Sequence, residues 1–388
     1  MKLNSTILIL VLSVIWFSHA VADPPALVKE KDIVIYSDDQ FHSAFPSVVR
    51  RPDGELIVAF RRAPDRKVFG EKGTGHTSPN SYLVEVRSMD NGNTWTTAPS
   101  LILAHPFGGS QDPCMIQLTD ESLLCTSYGW ALPRGDNWKT WGNVVNAGDF
   151  VFFGGYLVRS TDGGNTWSQI ILPPTLPGND MKTVFNTPMP AYNRGSMYQG
   201  RSGRIFWAVA RHVSGDDGRR RTENHLLTSD DGGLTWDYRS PIAQDPKVVF
   251  NEASIYETPK GDIVTFIRTA NFDDHTVVAR STNGGDDFTW EDAGFQGHPH
   301  FPLKLPDGRV LLVYGYRHKP MGIRARILNA ECTDYRDSIE IILREDGGGS
   351  DLGYPWATMM ADGRILVCYY FNLGNGTRHI AGTILRLE

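Results

Sequence analysis

The sequence predicts an all-β fold: a six-bladed β-propeller built from four-stranded antiparallel blades. Three features of its 388 residues carry that expectation. A Ser-x-Asp-x-Gly-x-Thr-Trp turn recurs four times, a strand–turn–strand unit recurs six times, and no stretch carries a useful helical period. Composition is consistent with this. Thirty-nine Gly and 23 Pro imply many turns, and 11% aromatics with ten Trp argue against disorder. The net charge of −6, without a block of like charge, excludes a general nucleic-acid binder. Four cysteines without a CxxC pair exclude both a disulfide-stapled miniprotein and a zinc ribbon.

The chain opens with Lys2, an apolar run from Ile7 to Phe17, and the small-residue site Ala20-Val21-Ala22. This reads as a secretory signal over residues 1–22, leaving one propeller domain over 23–388 that works in a secreted or periplasmic location, without a membrane anchor. Next, Ile33-Val34-Ile35-Tyr36 is expected to pair with Ile380–Leu387 and close the ring, removing a free sheet edge. The repeated unit then turns at Asp53-Gly54, Asp120-Glu121, Gly203, Gly261, Asp307-Gly308 and Asp362-Gly363. Apolar strands follow each turn, from Leu56-Ile57-Val58-Ala59-Phe60 to Ile365-Leu366-Val367-Cys368-Tyr369. Interleaved with them are the four longer turns, Ser88–Trp95, Ser160–Trp167, Ser229–Trp236 and a lengthened Ser281–Trp290. In these, Ser and Asp can bond turn amides, Gly supplies positive φ, and Trp returns to the sheet. Six units give about 61 residues each, the size of a four-stranded blade.

Antiparallel blades bring the start of each first strand and the end of the second to one rim. That rim gathers Asp112, Glu252, His298, His300, Asp351 and Tyr354 with Arg61, Arg62, Arg211, Arg268 and Arg317. Four blades thus place an Arg at one position of an acidic protein, which points to an anionic ligand gripped by guanidinium forks. Carboxylates beside them supply acid/base groups of the kind glycan-cleaving enzymes need.

The four Ser-x-Asp-x-Gly-x-Thr-Trp turns resemble the Asp-boxes of the sialidase superfamily, over nearly the whole chain after residue 22. Two longer segments sharpen the resemblance. Asn251-Glu252-Ala253-Ser254, followed by Gly261 and Arg268, is similar to the stretch holding the family's catalytic glutamate and one arginine of its carboxylate-binding triad. Tyr354, nine residues before Gly363, is similar to the stretch holding the tyrosine nucleophile. The resemblance implies that Tyr354 attacks, Glu252 takes its proton, and Arg268 holds the sugar carboxylate with Arg61 and Arg317. A neutral tyrosine suits an anomeric carbon that already bears a carboxylate, since an anionic nucleophile would be repelled. The expected activity is exo-cleavage of a terminal acidic sugar from a glycan, by a monomer without cofactor or metal.

Some positions depart from the family pattern. Ala44-Phe45-Pro46 stands where an Arg-Ile-Pro-type motif supplies the first triad arginine, and Tyr370 stands where a glutamate supports it. Residues 66–89, just before the first Asp-box, contain no Asp and offer Glu71, His76 and Tyr82, so Glu71 or His76 is the expected acid/base. Lys319 and Arg324 compete with Arg317 for the third arginine. These departures keep two other readings open. One is a lyase or rhamnosyl-glucuronate-cleaving enzyme acting on uronic-acid glycans, with His42, His76, His105, His298 or His300 as base and Tyr354 as acid. The other is a carbohydrate-binding propeller without turnover. His298-Pro299-His300 offers two metal ligands, but spacing reveals no third. Trp130, Trp138 and Trp141 are expected in a lip over the site. Cys114 and Cys125 are expected as free thiols, and Asn375-Gly376-Thr377 fits a glycosylation acceptor.

Overall fold

The computed structural model describes residues 26–65, 78–131, 151–215, 220–374 and 378–388. The signal segment, Glu71, His76, Trp138, Trp141 and the Asn375 acceptor lie outside them. Among the described residues there are 23 strands, β1 to β23, and no helix. Six antiparallel sheets form the ring: five have four strands, and the second has three. In that blade, among the described residues, the outer edge is extended only by a bridge between Leu157 and Ile171. The expected closure is present. β1 (Leu27–Tyr36) pairs with β23 (His379–Leu387), so the last blade takes its outer strand from the start of the chain.

Each blade begins with the same local design. The connection from first to second strand is a five-residue turn whose fourth residue has positive φ. That residue is Gly54, Gly203, Gly261, Gly308 or Gly363 in five blades, and Glu121 (φ 67°) in the second. In all six turns the amide of this residue donates to the carbonyl three positions back, at 2.9–3.1 Å (for example Gly54 N to Arg51 O, 2.9 Å, and Gly363 N to Met360 O, 3.1 Å). The Asp-boxes lie on the hairpins between third and fourth strands. In the first, Ser88 Oγ accepts from Gly92 N (2.9 Å), while the Asp90 carboxylate takes both the amide and the hydroxyl of Thr94 (2.8 and 2.6 Å). Asp162 and Asp231 repeat the arrangement, and Asn283 keeps its amide-accepting half. Only four boxes occur for a structural reason. The sixth blade joins chain ends instead of a hairpin, and the fifth caps a different loop with Asn329 and Asp334.

The second strands are apolar on both faces because each face feeds a different core. Val58 and Phe60 pack toward the sixth blade, whereas Ile57 and Ala59 pack toward the second. Repeated around the ring, this gives six apolar clusters, one at each blade interface. It also separates two of the thiols. Cys114 opposes Thr126 and Cys125 opposes Met115, so their side chains leave opposite faces of the blade. All four cysteines are free and buried, Cys114 and Cys125 as expected.

At the rim near the axis, five first strands break register at equivalent points: Ala44/Ser47, Gln111/Cys114, Phe250/Ala253, His298/His300 and Gly353/Trp356. Such bulges re-aim side chains. At three of them a non-glycine residue is driven into the left-handed region, namely Phe45 (φ 58°), Asp112 (φ 29°) and Tyr354 (φ 55°). This conformation costs on the order of 1–3 kcal/mol per residue and clusters at functional positions.

Candidate active site

The bulge at Gly353/Trp356 turns Tyr354 toward the axis from β21 (Gly353–Met359), and the one at Phe250/Ala253 presents Glu252 from β13 (Phe250–Glu257). The two side chains meet: the Tyr354 hydroxyl donates to Glu252 Oε1 at 2.5 Å. Arg268, near the end of β14 (Ile263–Thr269), joins them through Nη1, which donates to both Glu252 oxygens (2.9 and 3.0 Å) and to the Tyr354 oxygen (3.2 Å). Residues 252, 268 and 354, separated in sequence, therefore form one hydrogen-bonded cluster. Arg317 is the next neighbour. Its guanidinium lies 5.3 Å from the Tyr354 ring centre and donates to Leu352 O and Tyr370 Oη.

The electrostatics follow from burial and these contacts. Burial and the Glu252 charge push the Tyr354 phenol well above its ordinary range, against the pull of Arg268 and Arg317. Burial alone would raise Glu252, but Arg268 and the Tyr354 hydroxyl more than offset it and hold it below the usual carboxylate value. The resting pair is thus a neutral phenol beside a carboxylate.

A cavity of about 380 Å³ opens beside this pair. Glu252 and Tyr354 form part of its wall, with Gln111, Asp112, Arg194 and Asn251; Tyr128, Phe152, Tyr192 and His212 form an aromatic side. Tyr128 and Tyr192 lie 4.8 Å apart, and Tyr192 stacks on His212 at 5.8 Å. Asp112 accepts from the Tyr128 hydroxyl at 3.2 Å. Burial pushes Asp112 up to about 6, against the nearby Arg194.

Other residues expected at the site are placed differently. Arg61 is fully buried, donates from Nε to Ser110 O at 3.2 Å, and is outside the cavity wall. Strand alternation sends Arg62 to the other face, where it bonds Asp38 and Tyr82 and covers the Phe41 ring at 3.4 Å. Arg211 likewise points away from the cavity, paired with Glu223, while its neighbour His212 faces in. Asp351 is held among Tyr370, His42 and Arg378, and is also outside the cavity wall. His300 is a core residue, bonded to Thr276 at 2.7 Å and buried among Phe295 and Tyr314. Trp130 is buried in β7 (Leu123–Ala131) rather than in a lip. Arg324 is committed to carbonyls of Arg344 and Pro320, which leaves Arg317 as the third arginine beside Tyr354.

Phe45 occupies the place of the absent first arginine. Its ring makes edge contacts with Tyr354 (4.8 Å) and Tyr370 (5.0 Å). Sequence reasoning did not foresee Arg194, which is buried at the axis. It donates to Pro46 O and to the Tyr354 carbonyl (both 3.3 Å), and its guanidinium lies 4.8 Å from the Tyr354 ring centre. Arg194 lies between Asn193 and Gly195, in a stretch without strand pattern, so no periodicity pointed to it. The one available signal was an Arg-Gly pair just before a blade's first strand.

Fold and cluster together define a propeller with a Tyr–Glu–Arg site at its axis, of sialidase-like type. Residues 137–368 match the model of the BNR repeat-like domain, and the chain belongs to that family. A sialidase from Micromonospora viridifaciens is 22% identical over 384 aligned residues, covering 91% of this chain and 53% of the relative. This chain therefore spans about half of that relative's length. Among solved structures, a protein of unknown function from Dyadobacter fermentans is 57% identical, with a TM-score of 0.90 over 94% of this chain and 100% of its own. The Hadza microbial sialidase Hz136 shares the fold at 17% identity (TM-score 0.61; 88% of this chain, 65% of that one). The intramolecular trans-sialidase from Ruminococcus gnavus does so at 14% (TM-score 0.59; 91% and 97%).

Proposed function

We propose that the protein is an exo-acting glycosidase of the sialidase type, working outside the cytoplasm to release a terminal acidic sugar from a glycan. The observation that carries this reading is the direct contact of Tyr354, Glu252 and Arg268. The sugar spans Tyr354, with its carboxylate toward Arg268 and Arg317 and its leaving group toward the aromatic cavity. Arg268 is neutralised by Glu252 in the resting site. An arriving carboxylate competes for that guanidinium, and a Glu252 that loses part of its partner becomes a stronger base. The Tyr354 oxygen then bonds the anomeric carbon as its proton passes to Glu252 and the glycosidic C–O bond breaks. Asp112 is the cavity carboxyl suited to protonate the leaving oxygen, since burial keeps it protonated in mildly acidic conditions. Water completes hydrolysis of the tyrosyl adduct.

The test is fluorophore release from an α-sialoside reporter by the purified protein, alongside Tyr354→Phe and Arg268→Lys. Release is expected to fall at least about 10³-fold in Tyr354→Phe. Arg268→Lys keeps the charge beside Glu252 but loses the fork, so it is expected chiefly to raise KM. Full activity in Tyr354→Phe would refute the assignment.

One observation favours a second reading, elimination on a uronic-acid glycan. Tyr192 Oη and His212 Nε2 are 2.7 Å apart in the cavity wall, an acid and base in contact. Burial lowers His212 to about 4, so it is a neutral imidazole able to accept a proton. Absence of sialoside release, with ultraviolet absorbance appearing from an unsaturated uronate product, would select this reading.

A further inference from the structure

Beside the Tyr–Glu–Arg cluster, the blade 4–blade 5 junction brings together three potential ligands from separated segments. His298 begins β17 (His298–Lys304), His318 follows β18 (Val310–Tyr316), and Asp274 precedes β15 (His275–Ser281). We propose that Asp274, His298 and His318 form a binding site for one divalent transition-metal ion of the zinc type.

The donor atoms all lie within 4.8 Å of one another. Asp274 Oδ2 is 3.7 Å from His298 Nε2 and 3.3 Å from His318 Nε2. Tetrahedral zinc with bonds of about 2.0–2.1 Å separates its ligands by about 3.3–3.4 Å, so small side-chain shifts complete the geometry. The hydrogen bonding is also telling. Both ring nitrogens of His298, which is only 2% exposed, lack a hydrogen-bond partner among the described residues, as does His318 Nε2. The His318–Asp274 approach is therefore short without meeting hydrogen-bond geometry. Buried imidazole nitrogens left unpaired are destabilising, and a shared cation satisfies them.

The surroundings suit the chemistry. His298 is buried at this junction, with Arg268 and Arg317 nearby. Those arginines would oppose a dication, but each is already engaged, Arg268 by Glu252 and Arg317 by Leu352 O and Tyr370. Asp274 supplies the anionic ligand, and its loop is pinned by Gln296 Nε2 donating to Asp273 O (2.8 Å) and by Gly297 N donating to Asp274 O (3.3 Å). The side chains of Asp274 and His318 are each 36% exposed, so the site opens to solvent, and three protein ligands leave a position for water.

Protein stripped with a chelator and exchanged into chelator-free buffer would be titrated with ZnCl2 by calorimetry and with CoCl2 by visible absorbance. One equivalent of zinc is expected, with Asp274→Asn and His318→Ala each weakening it about tenfold or more. Both substituted positions are partly exposed, and unchanged melting of the metal-free variants would show that they fold. The wild-type cobalt spectrum decides independently of the variants. An intense band of a nitrogen-ligated, four- or five-coordinate ion supports the site, whereas the weak spectrum of hydrated cobalt at one equivalent overturns it. Equal zinc affinity in wild type and both variants would also overturn it.

Discussion

The Tyr354 phenol and Glu252 share one short hydrogen bond, and their opposite displacements make Tyr354 neutral until a substrate disturbs the pair. A pH dependence follows. Glu252, held below its ordinary value of 4.5, remains ionised into acid, while Asp112, raised to about 6, loses its proton above that pH. With Asp112 as the proton donor, kcat/KM for the sialoside is expected to peak between about 4.5 and 6. It should then fall about tenfold per pH unit above 6, and Asp112→Asn should remove that limb together with most of the activity. Stability has the same sign for Asp112. Its folded-state value lies above the unfolded one, so its contribution improves as pH falls through 6 toward 4 and is lost above. At this scale the sequence revealed the residues that keep family spacing, Glu252, Arg268 and Tyr354. It misplaced Arg62 and Arg211 because a one-residue step along a strand reverses the face, and a lone Arg does not show which face it takes. Arg194 was illegible because its position comes from an unpatterned loop drawn along a neighbouring blade.

That loop shows how individual elements hold the site. Residues 194–196 lie against β13, with Ala253 N donating to Arg194 O (3.0 Å) and Ile255 N to Ser196 O (3.2 Å). Gly195 has φ 143°, and a Cβ there would come within 1.8 Å of Ala253 O. Gly195→Ala is therefore expected to displace Arg194 and loosen Tyr354, lowering the melting temperature and activity together; an unchanged melt and rate would show that the loop is tolerant. The five-residue turns give the opposite opportunity. Glu121 takes a left-handed conformation that glycine occupies in the other five blades, so Glu121→Gly is expected to stabilise by about 0.5–1 kcal/mol in urea unfolding. The six turns and the strands after them were legible because their residues repeat. The first strand of the third blade was not, since β9 (Tyr198–Gln199) has only two residues and cannot show an alternation.

Across the whole molecule, six cores in a ring mean that every blade is supported by two neighbours, and β1 completes the circle. Without β1, β23 would present a bare edge and the first–sixth interface would lose Ile35 and Tyr36. Deleting residues 26–36 is expected to lower the melting temperature and promote association, measured by light scattering; a stable monomeric deletion would show that the seam is dispensable. The ring was readable in the sequence because repetition and an apolar strand at each end survive without knowledge of contacts. The blade 4–blade 5 ligand cluster was not, because Asp274 and His318 meet His298 only once two blades are stacked. The seam has one more consequence. Ala26 and Glu388 exchange hydrogen bonds in both directions, at 2.8 and 2.9 Å, so the first and last of the described residues are already neighbours. A circular permutant that links Glu388 to Ala26 and opens between Lys260 and Gly261, an exposed turn, should fold to the same ring with its start and finish in a different blade.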